Sequence, residues 1–543
     1  VIDTPVILTI SAPTVTQPTC AVSTGTIVVN ATTTTGILEY RIDNGSTYQT
    51  ESTFSGLSGG SYTIIVREQG SSCTETYGSN PVVINTLLNN TNTYVNKMAT
   101  GNNNGTSWAD AFTDLQDAID VSCNSVDIWV AAGTYYPTKD HTGNTSPSDN
   151  RDKNFHLGTD MKIYGGFVGG EIQLSARNAA TNITILSGDF NNDDDVIGGG
   201  STLTFSGNAE NAYHVIITAD LTAAAVIDGF TIKGGNANGT GTISYQSKTF
   251  YKKHGAMYND NSSPTITNST FTKNNASDVG GGMFNFSSHP TITNSTFTNN
   301  KANFGGGMCN TSSLPTITNS SFTSNKAIYG GGMQNFSSSP TIMNSTFANN
   351  NANNGGGMYN QSSLPIITNT VIWDNGSGEV GNNNSTPTFK NSIIKSSGGS
   401  GGGTWNTAYG TDNGNNLDTD PVFVDAANGN FNLKCDSPAI NQGTPTGAPT
   451  KDITGFARVG NPDMGAYEYV ESAPLVITGS IVNGINPNYE GAPSITSQWP
   501  ILNTNNVVFK ARKFIELKPG FLVAPAVEAA TVFRAEIGGG CPE

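Results

Sequence analysis

The feature that most constrains this chain is a strict period. FTNNKANFGGGM (297–308) returns as FTSNKAIYGGGM (322–333) and as FANNNANNGGGM (347–358). Aligned on methionine, Met257, Met283, Met308, Met333 and Met358 are spaced by 26, 25, 25 and 25 residues. Other columns keep step: Ile266, Ile292, Ile317, Ile342 and Ile367; Phe271, Phe297, Phe322 and Phe347, continued by Ile372; and Pro264, Pro290, Pro315, Pro340 and Pro365. A repeat of this length marks a solenoid, in which one unit cannot bury its apolar face alone and needs its neighbours.

The segments between corners, such as TITNSTF, are short, Thr-rich and β-branched, which favours strands. With 63 Gly and only 12% charged residues, the chain is poor in helix formers and rich in turn formers. Each period is therefore read as one coil of a parallel β-helix, with about three short strands and coils about 4.8 Å apart. Met, Ile and Phe stack inward. The positions after Met, namely Tyr258, Phe284, Cys309, Gln334 and Tyr359, are expected to face outward. Two Asn columns, 268/294/319/344/369 and 285/310/335/360, are expected to form amide ladders. The Gly triplets supply corners with positive φ.

At 543 residues the chain is too long for one compact core unless that core is one-dimensional. Residues 1–92, with GTIVVNA, LEYRI and SYTIIVRE between NG and SGG turns, suggest an immunoglobulin-like β-sandwich. Residues 93–470 form the β-helix. In its first part TSWADAFTDLQDAIDV predicts a capping helix carrying Trp108, Phe112, Leu115 and Ile119, with Thr106 or Ser107 as N-cap. Residues 471–543, with VVFKA and TVFRA, are read as a small terminal β-stack in which Phe509 and Phe533 lie about one coil apart; an ordinary sandwich is the alternative.

A net charge of −16 argues against nucleic acid and anionic membrane as partners. No apolar run reaches the roughly 18 residues of a membrane span. The start at Val1 fits a processed or truncated exported chain. Cys20 and Cys73 bracket a strand-rich unit and are candidates for a disulfide; Cys123, Cys309, Cys435 and Cys541 have no assignable partner.

The coil motifs resemble the repeats of chlamydial polymorphic outer membrane proteins, which pair a GGA-plus-apolar motif with FxxN. FTKN (271–274), FTNN (297–300), FTSN (322–325) and FANN (347–350) match the second motif, and GGGM ending at 283, 308, 333 and 358 is a glycine variant of the first. GTSWADAFTDLQDAI, IYGGFVGGE, TILSGDF and DITGFARVGNPDMGAYE resemble secreted right-handed β-helix proteins of Bacteroidota that end in a choice-of-anchor segment. The N-terminal repeat is similar to units of their gliding-associated adhesins, and FIELKPGF with VFRAEI resembles their C-terminal stack domains. These resemblances imply a right-handed helix, export and extracellular or cell-surface residence, and they leave the ligand open.

Right-handed β-helices also carry polysaccharide lyases and glycosidases, whose sites gather carboxylates. Here Asp374 and Glu379 are the candidate catalytic pair. Asp189, Asn191, Asp193 and Asp195 alternate with the D-x-[DN]-x-[DN] spacing of calcium loops, although the Gly and distal Glu of an EF-hand are missing. Asp452, Arg458, Asp463 and Glu468 suggest ion pairing that fastens the closing segment. Lys252, Lys253 and His254 are read as a solvated loop. Tyr258, Phe284, Phe286, Phe336 and Tyr359 are read as an outer aromatic stripe for a glycan or a partner. The expectation is an extracellular structural or adhesive stalk that partners other surface proteins or copies of itself and requires no cofactor, with structural calcium as an option. The alternative is a glycan-active enzyme or carbohydrate-binding protein on the same scaffold.

Overall fold

In the computed structural model the described residues are 8–18, 22–34, 36–42, 47–84, 92–122, 126–400 and 403–470, together with strand segments between 475 and 537. The chain divides into two units, one of residues 1–196 and 205–291, the other of residues 197–204 and 292–543.

The first unit opens with antiparallel strands. Leu8–Thr16, Gly25–Thr33 and Thr53–Leu57 form one sheet, and Leu38–Ile42, Ile64–Glu68 and Thr74–Thr76 another. They share a core of Ile27, Val29, Ile42, Tyr62, Ile64, Val66, Val82 and Ile84. Pairing then becomes parallel. Asn92–Val95, Asp127–Ala131, Lys162–Phe167, Val226–Asp228 and Thr265–Thr267 follow one another across one sheet. Gly133–Tyr135, Thr184–Ser187, Phe230–Lys233 and Thr270–Thr272 build a second, and Phe155–His156, Ile216–Ala219, Met257–Asp260 and Met283–Phe286 a third. Three parallel sheets visited in rotation are the coils of a parallel β-helix.

The expected capping helix is present but shorter. It runs Leu115–Val121, and its N-cap is Asp114, whose side chain accepts from Gln116 N, instead of Thr106 or Ser107. Trp108 lies outside it, with its ring 4.9 Å from Tyr94 and 5.4 Å from Phe167. Its indole donates to Glu171 O at 2.9 Å. Helical spacing thus caught residues that meet through a turn.

Within the second unit the same rotation through three strands recurs. Phe322 faces Phe297 and Phe347, Met333 faces Met308 and Met358, and Ile342 faces Ile317 and Ile367. All of these side chains are fully buried. The Phe rings stack with centroids 4.7 and 4.6 Å apart and planes 2° from parallel, so the strand spacing sets the ring spacing.

Both expected Asn columns have a structural role, and they differ. Asn310, Asn335, Asn360 and Asn382 point inward, each donating about 2.9 Å to the next. Asn319, Asn344 and Asn369 occupy left-handed corners with φ of 51°, 45° and 50°. Their amides reach the closing segment, donating to Lys451 O, Asp463 O and Thr444 O. The Gly triplets divide their work as well. Gly330 has φ +65°, whereas a Cβ on Gly331 would lie 2.5 Å from Gly356 O, so close stacking excludes a side chain there.

The closing segment packs Leu433, Ala439 and Met464 on Val371, Trp373 and Ile393. Arg458 and Glu468 form a 2.9 Å ion pair with both side chains 3% exposed, and Arg458 also donates to Asn319 Oδ1 at 2.8 Å. Of the ion pairing expected among Asp452, Arg458, Asp463 and Glu468 only this pair is seen: Asp452 instead accepts from the Thr454, Phe456 and Glu468 backbone N–H groups, and Asp463 from those of Asn441 and Tyr469. Burial, then the nearby Glu468 charge, pushes the Asp463 carboxyl up to about 6. Beyond it, Asn488–Ser497, Asn506–Leu517 and Val532–Ile537 pair in parallel. Phe533 lies opposite Val507 and Phe509 opposite Ala535, so the two positions are out of register by two residues.

Candidate functional site

The corner after each FxxN strand in the second unit is a left-handed residue: Asn299, Ser324, Asn349 and Asp374, with φ of 55° or 56°. Beside this row run the strand faces of Thr296, Thr298, Ser321 and Thr323. Residues 198–202 close one side. Gly200 N donates to Ser324 O at 2.8 Å, and Lys326 Nζ donates to Ser201 O at 2.9 Å. The turn at 426–429 closes the other, held by Asn349 Nδ2 donating to Ala426 O at 2.7 Å. Between them lies a cavity of about 880 Å³. Its lining is hydroxyl, amide and backbone, with Tyr467 half-buried and Asp374 as the only carboxylate among the lining residues.

The structure does not make a catalytic pair of Asp374 and Glu379. Asp374 is exposed and bound to Lys395 Nζ. Glu379 is 3% exposed and turns inward, where it accepts from Asn375 Nδ2 at 2.6 Å. It terminates a third Asn ladder, Asn300–Asn325–Asn350–Asn375, with links of 3.0, 2.9 and 2.9 Å. Burial pushes its carboxyl up to about 8. That ladder was legible as the N of FxxN.

The aromatic stripe is corrected too. Strand alternation does point Tyr258, Phe284 and Tyr359 away from the bore, but they are 2%, 4% and 8% exposed. Phe286 and Phe336 alone stay open, at 40% and 42%. In the first unit Tyr258 lies under Phe250, 4.8 Å away, while His254 packs at 4.9 Å on Phe284. In the second, the loops before the Gly triplets fold over the sheet. Phe304 stacks on Tyr329 at 5.5 Å, and Tyr329 lies 5.0 Å from Tyr359. Cys309 and Gln334 are buried by the same covering layer, with Cys309 Sγ donating to Gln334 Oε1. A linear reading of alternation cannot show a second layer.

Of the KKH loop only Lys253 is exposed; Lys252 and His254 are half-buried. Lys252 pairs with Asp152 at 2.6 Å, and Lys253 and His254 both meet Asp278. The His254 hydrogen bond, aided by Lys253, holds the Asp278 carboxyl down to about 2.

Of the proposed calcium residues, Asn191 and Asp195 are exposed, and Asp195 is not among the carboxylates that converge. Asn192 takes φ +56° and breaks the extended alternation on which the spacing argument relied. Asp189 and Asp193 are brought together with Glu210, which the spacing missed. Cys73 is exposed with a free thiol, and its expected partner Cys20, like Cys123 and Cys541, lies outside the described residues. The Cys73 turn sits at the surface, where its neighbour contacts are local, Cys73 N donating to Ser71 Oγ. Cys435 is disulfide-bonded.

Comparison with known proteins agrees with this backbone. Residues 254–417 match the family model described as the right-handed β-helix region. The helix is right-handed and parallel. Two solved structures are similar at low identity. The crystal structure of pectate lyase Pel9A is 16% identical, with a TM-score of 0.34 over 70% of this chain and 97% of that one. The family 28 exopolygalacturonase of Yersinia enterocolitica is 10% identical, with a TM-score of 0.20 over 98% and 100%. A search of curated proteins finds no match. No helix among the described residues is long and apolar enough to cross a membrane.

Proposed function

We propose that this chain is an extracellular β-helical scaffold that binds a neutral glycan in the groove between residues 198–202 and 426–429. The observation that carries this reading is the lining. Thr296, Thr298, Asn299, Ser324 and Asn351 present hydroxyls and amides at the strand repeat, and Tyr467 adds a ring. The volume falls within the usual range of ligand pockets. A neutral, hydroxyl-rich chain matches donors and acceptors of both kinds, whereas an acidic chain would find Asp374 against it.

The solenoid supports an adhesive or structural role, since stacked coils hold such a groove rigid at low entropic cost. A second reading, glycan cleavage, rests on Asp374 and its Lys395 partner at the groove edge. Hydrolysis with two flanking carboxylates would require a second acid there.

The test is titration calorimetry with neutral and acidic oligosaccharides, combined with mass spectrometry of the sugars afterwards. Intact neutral chains bound by the wild type and at least ten-fold more weakly by Asn351→Ala support the reading. Shortened chains would replace it with the enzymatic one, and binding unaffected by Asn351→Ala or by Thr298→Tyr, which fills the groove, would remove it.

A further inference from the structure

A separate cluster in the first unit asks for a ligand of its own. Asp189, Asp193 and Glu210 each offer a carboxylate oxygen, and these three atoms lie within 4.8 Å of one another. Asp189 is 2% exposed, and its Oδ1 accepts from Asp193 N at 3.2 Å, which folds the segment back on itself. Asp194 and Asn211 flank the same place, Asn211 Nδ2 donating to Asp194 Oδ2 at 2.9 Å.

The independent observation is a set of oxygens with nothing to bond. Asn211 is 1% exposed and its amide is seated against Asp194, yet its Oδ1 has no hydrogen-bond partner. Glu210 Oε1 and Asp194 Oδ1 are also shut off from solvent without a partner. A buried acceptor left unmade costs about 1–3 kcal/mol, and more when charged. Two of them, on Asn211 and Asp194, lie beside the three converging carboxylates and the third belongs to Glu210 itself, an arrangement that suits a bound cation.

We infer that Asp189, Asp193 and Glu210, with the Asn211 amide and the Asp194 carboxylate completing the shell, bind a calcium ion. The donors are all oxygen, which disfavours zinc and other metals that take nitrogen or sulfur. Calcium takes six to eight oxygen ligands in flexible geometry, which an irregular set of carboxylates and an amide can supply, whereas magnesium demands near-ideal octahedral geometry and keeps several waters. The ion clips residues 189–194 to residues 210–211, two segments joined through an excursion of the chain, and so replaces a missing hydrogen-bond network.

The test uses the full chain stripped with EDTA and titrated calorimetrically with CaCl2 and separately with MgCl2, with melting followed in parallel. Wild type is expected to bind calcium and melt higher with it, with magnesium at least ten-fold weaker. Glu210→Gln and Asp193→Asn should each lose at least ten-fold in calcium affinity, since charge count sets affinity in such sites. Without calcium, Glu210→Gln should melt no lower than wild type, because it removes a like charge; a merely structural glutamate would lose stability in both conditions. Asp425→Asn, at an exposed acid elsewhere, should bind as wild type does. No heat and no melting shift in wild type up to about 10 mM calcium, ten times the weak end for extracellular modules, would overturn the assignment. Equal affinity in both carboxamide variants would overturn it as well.

Discussion

Replacing Glu379 by Gln should make the protein more stable at neutral pH, and by an amount that depends on pH in a set way. Glu379 is buried at the end of the inward Asn ladder, and its carboxyl rises from its ordinary 4.5 to about 8. Between those values the folded chain holds a proton that the unfolded chain has released. Stability therefore falls as pH rises, beginning near the unfolded value and levelling only above the folded one. Each pH unit in that window is worth about 1.36 kcal/mol, so the loss at pH 7 comes to about 3 kcal/mol.

Gln resembles the protonated acid. Its Oε1 keeps the acceptor for Asn375 Nδ2, now at 2.6 Å, and it cannot ionise. Urea unfolding of wild type and Glu379→Gln at pH 5, 6, 7 and 8 reads the difference directly, because every other titrating group contributes to both chains. The curves should differ by about 1 kcal/mol at pH 5 and separate to about 3 kcal/mol at pH 7. Parallel curves across the range would refute a buried, protonated Glu379.

Arg458→Ala should cost about 3–5 kcal/mol, because it strands the Glu468 carboxylate, 3% exposed, without its partner. Hydrogen exchange should quicken first at Asn344 and Asn369, whose side chains hold the closing segment, while the Met308–Met333 coils stay protected. Gly331→Ala should cost about 3 kcal/mol by overpacking, since its Cβ meets Gly356 O at 2.5 Å and Asn351 O at 2.8 Å. Gly429→Ala, with φ +81° and open space around it, should cost only about 1 kcal/mol of backbone strain, and thermal melts of the two variants should rank them in that order.

The period in the sequence determined the β-helix, its three sheets and its bore. A column that returns every 25 residues has only one way to bury itself, which is against its own copy in the next coil, and Met333, Ile342 and Phe322 do so. It determined the ladders for the same reason, because Asn335 opposite Asn310 satisfies an amide that nothing else in the bore could. Residues outside the period were not fixed this way. Whether Tyr359 met solvent depended on Tyr329 folding over it from the loop. Whether Glu379 faced the groove depended on the Asn375 ladder needing an acceptor at its end. The Asp189 cluster took Glu210 from residues 21 positions on (210 − 189) instead of Asp195 beside it. The groove itself joins residues 198–202, the corner row and the turn at 426–429, segments that no single repeat contains. Repetition encodes contacts between equivalent positions, while contacts between unlike segments arise only when loop lengths and corner angles bring them together in three dimensions.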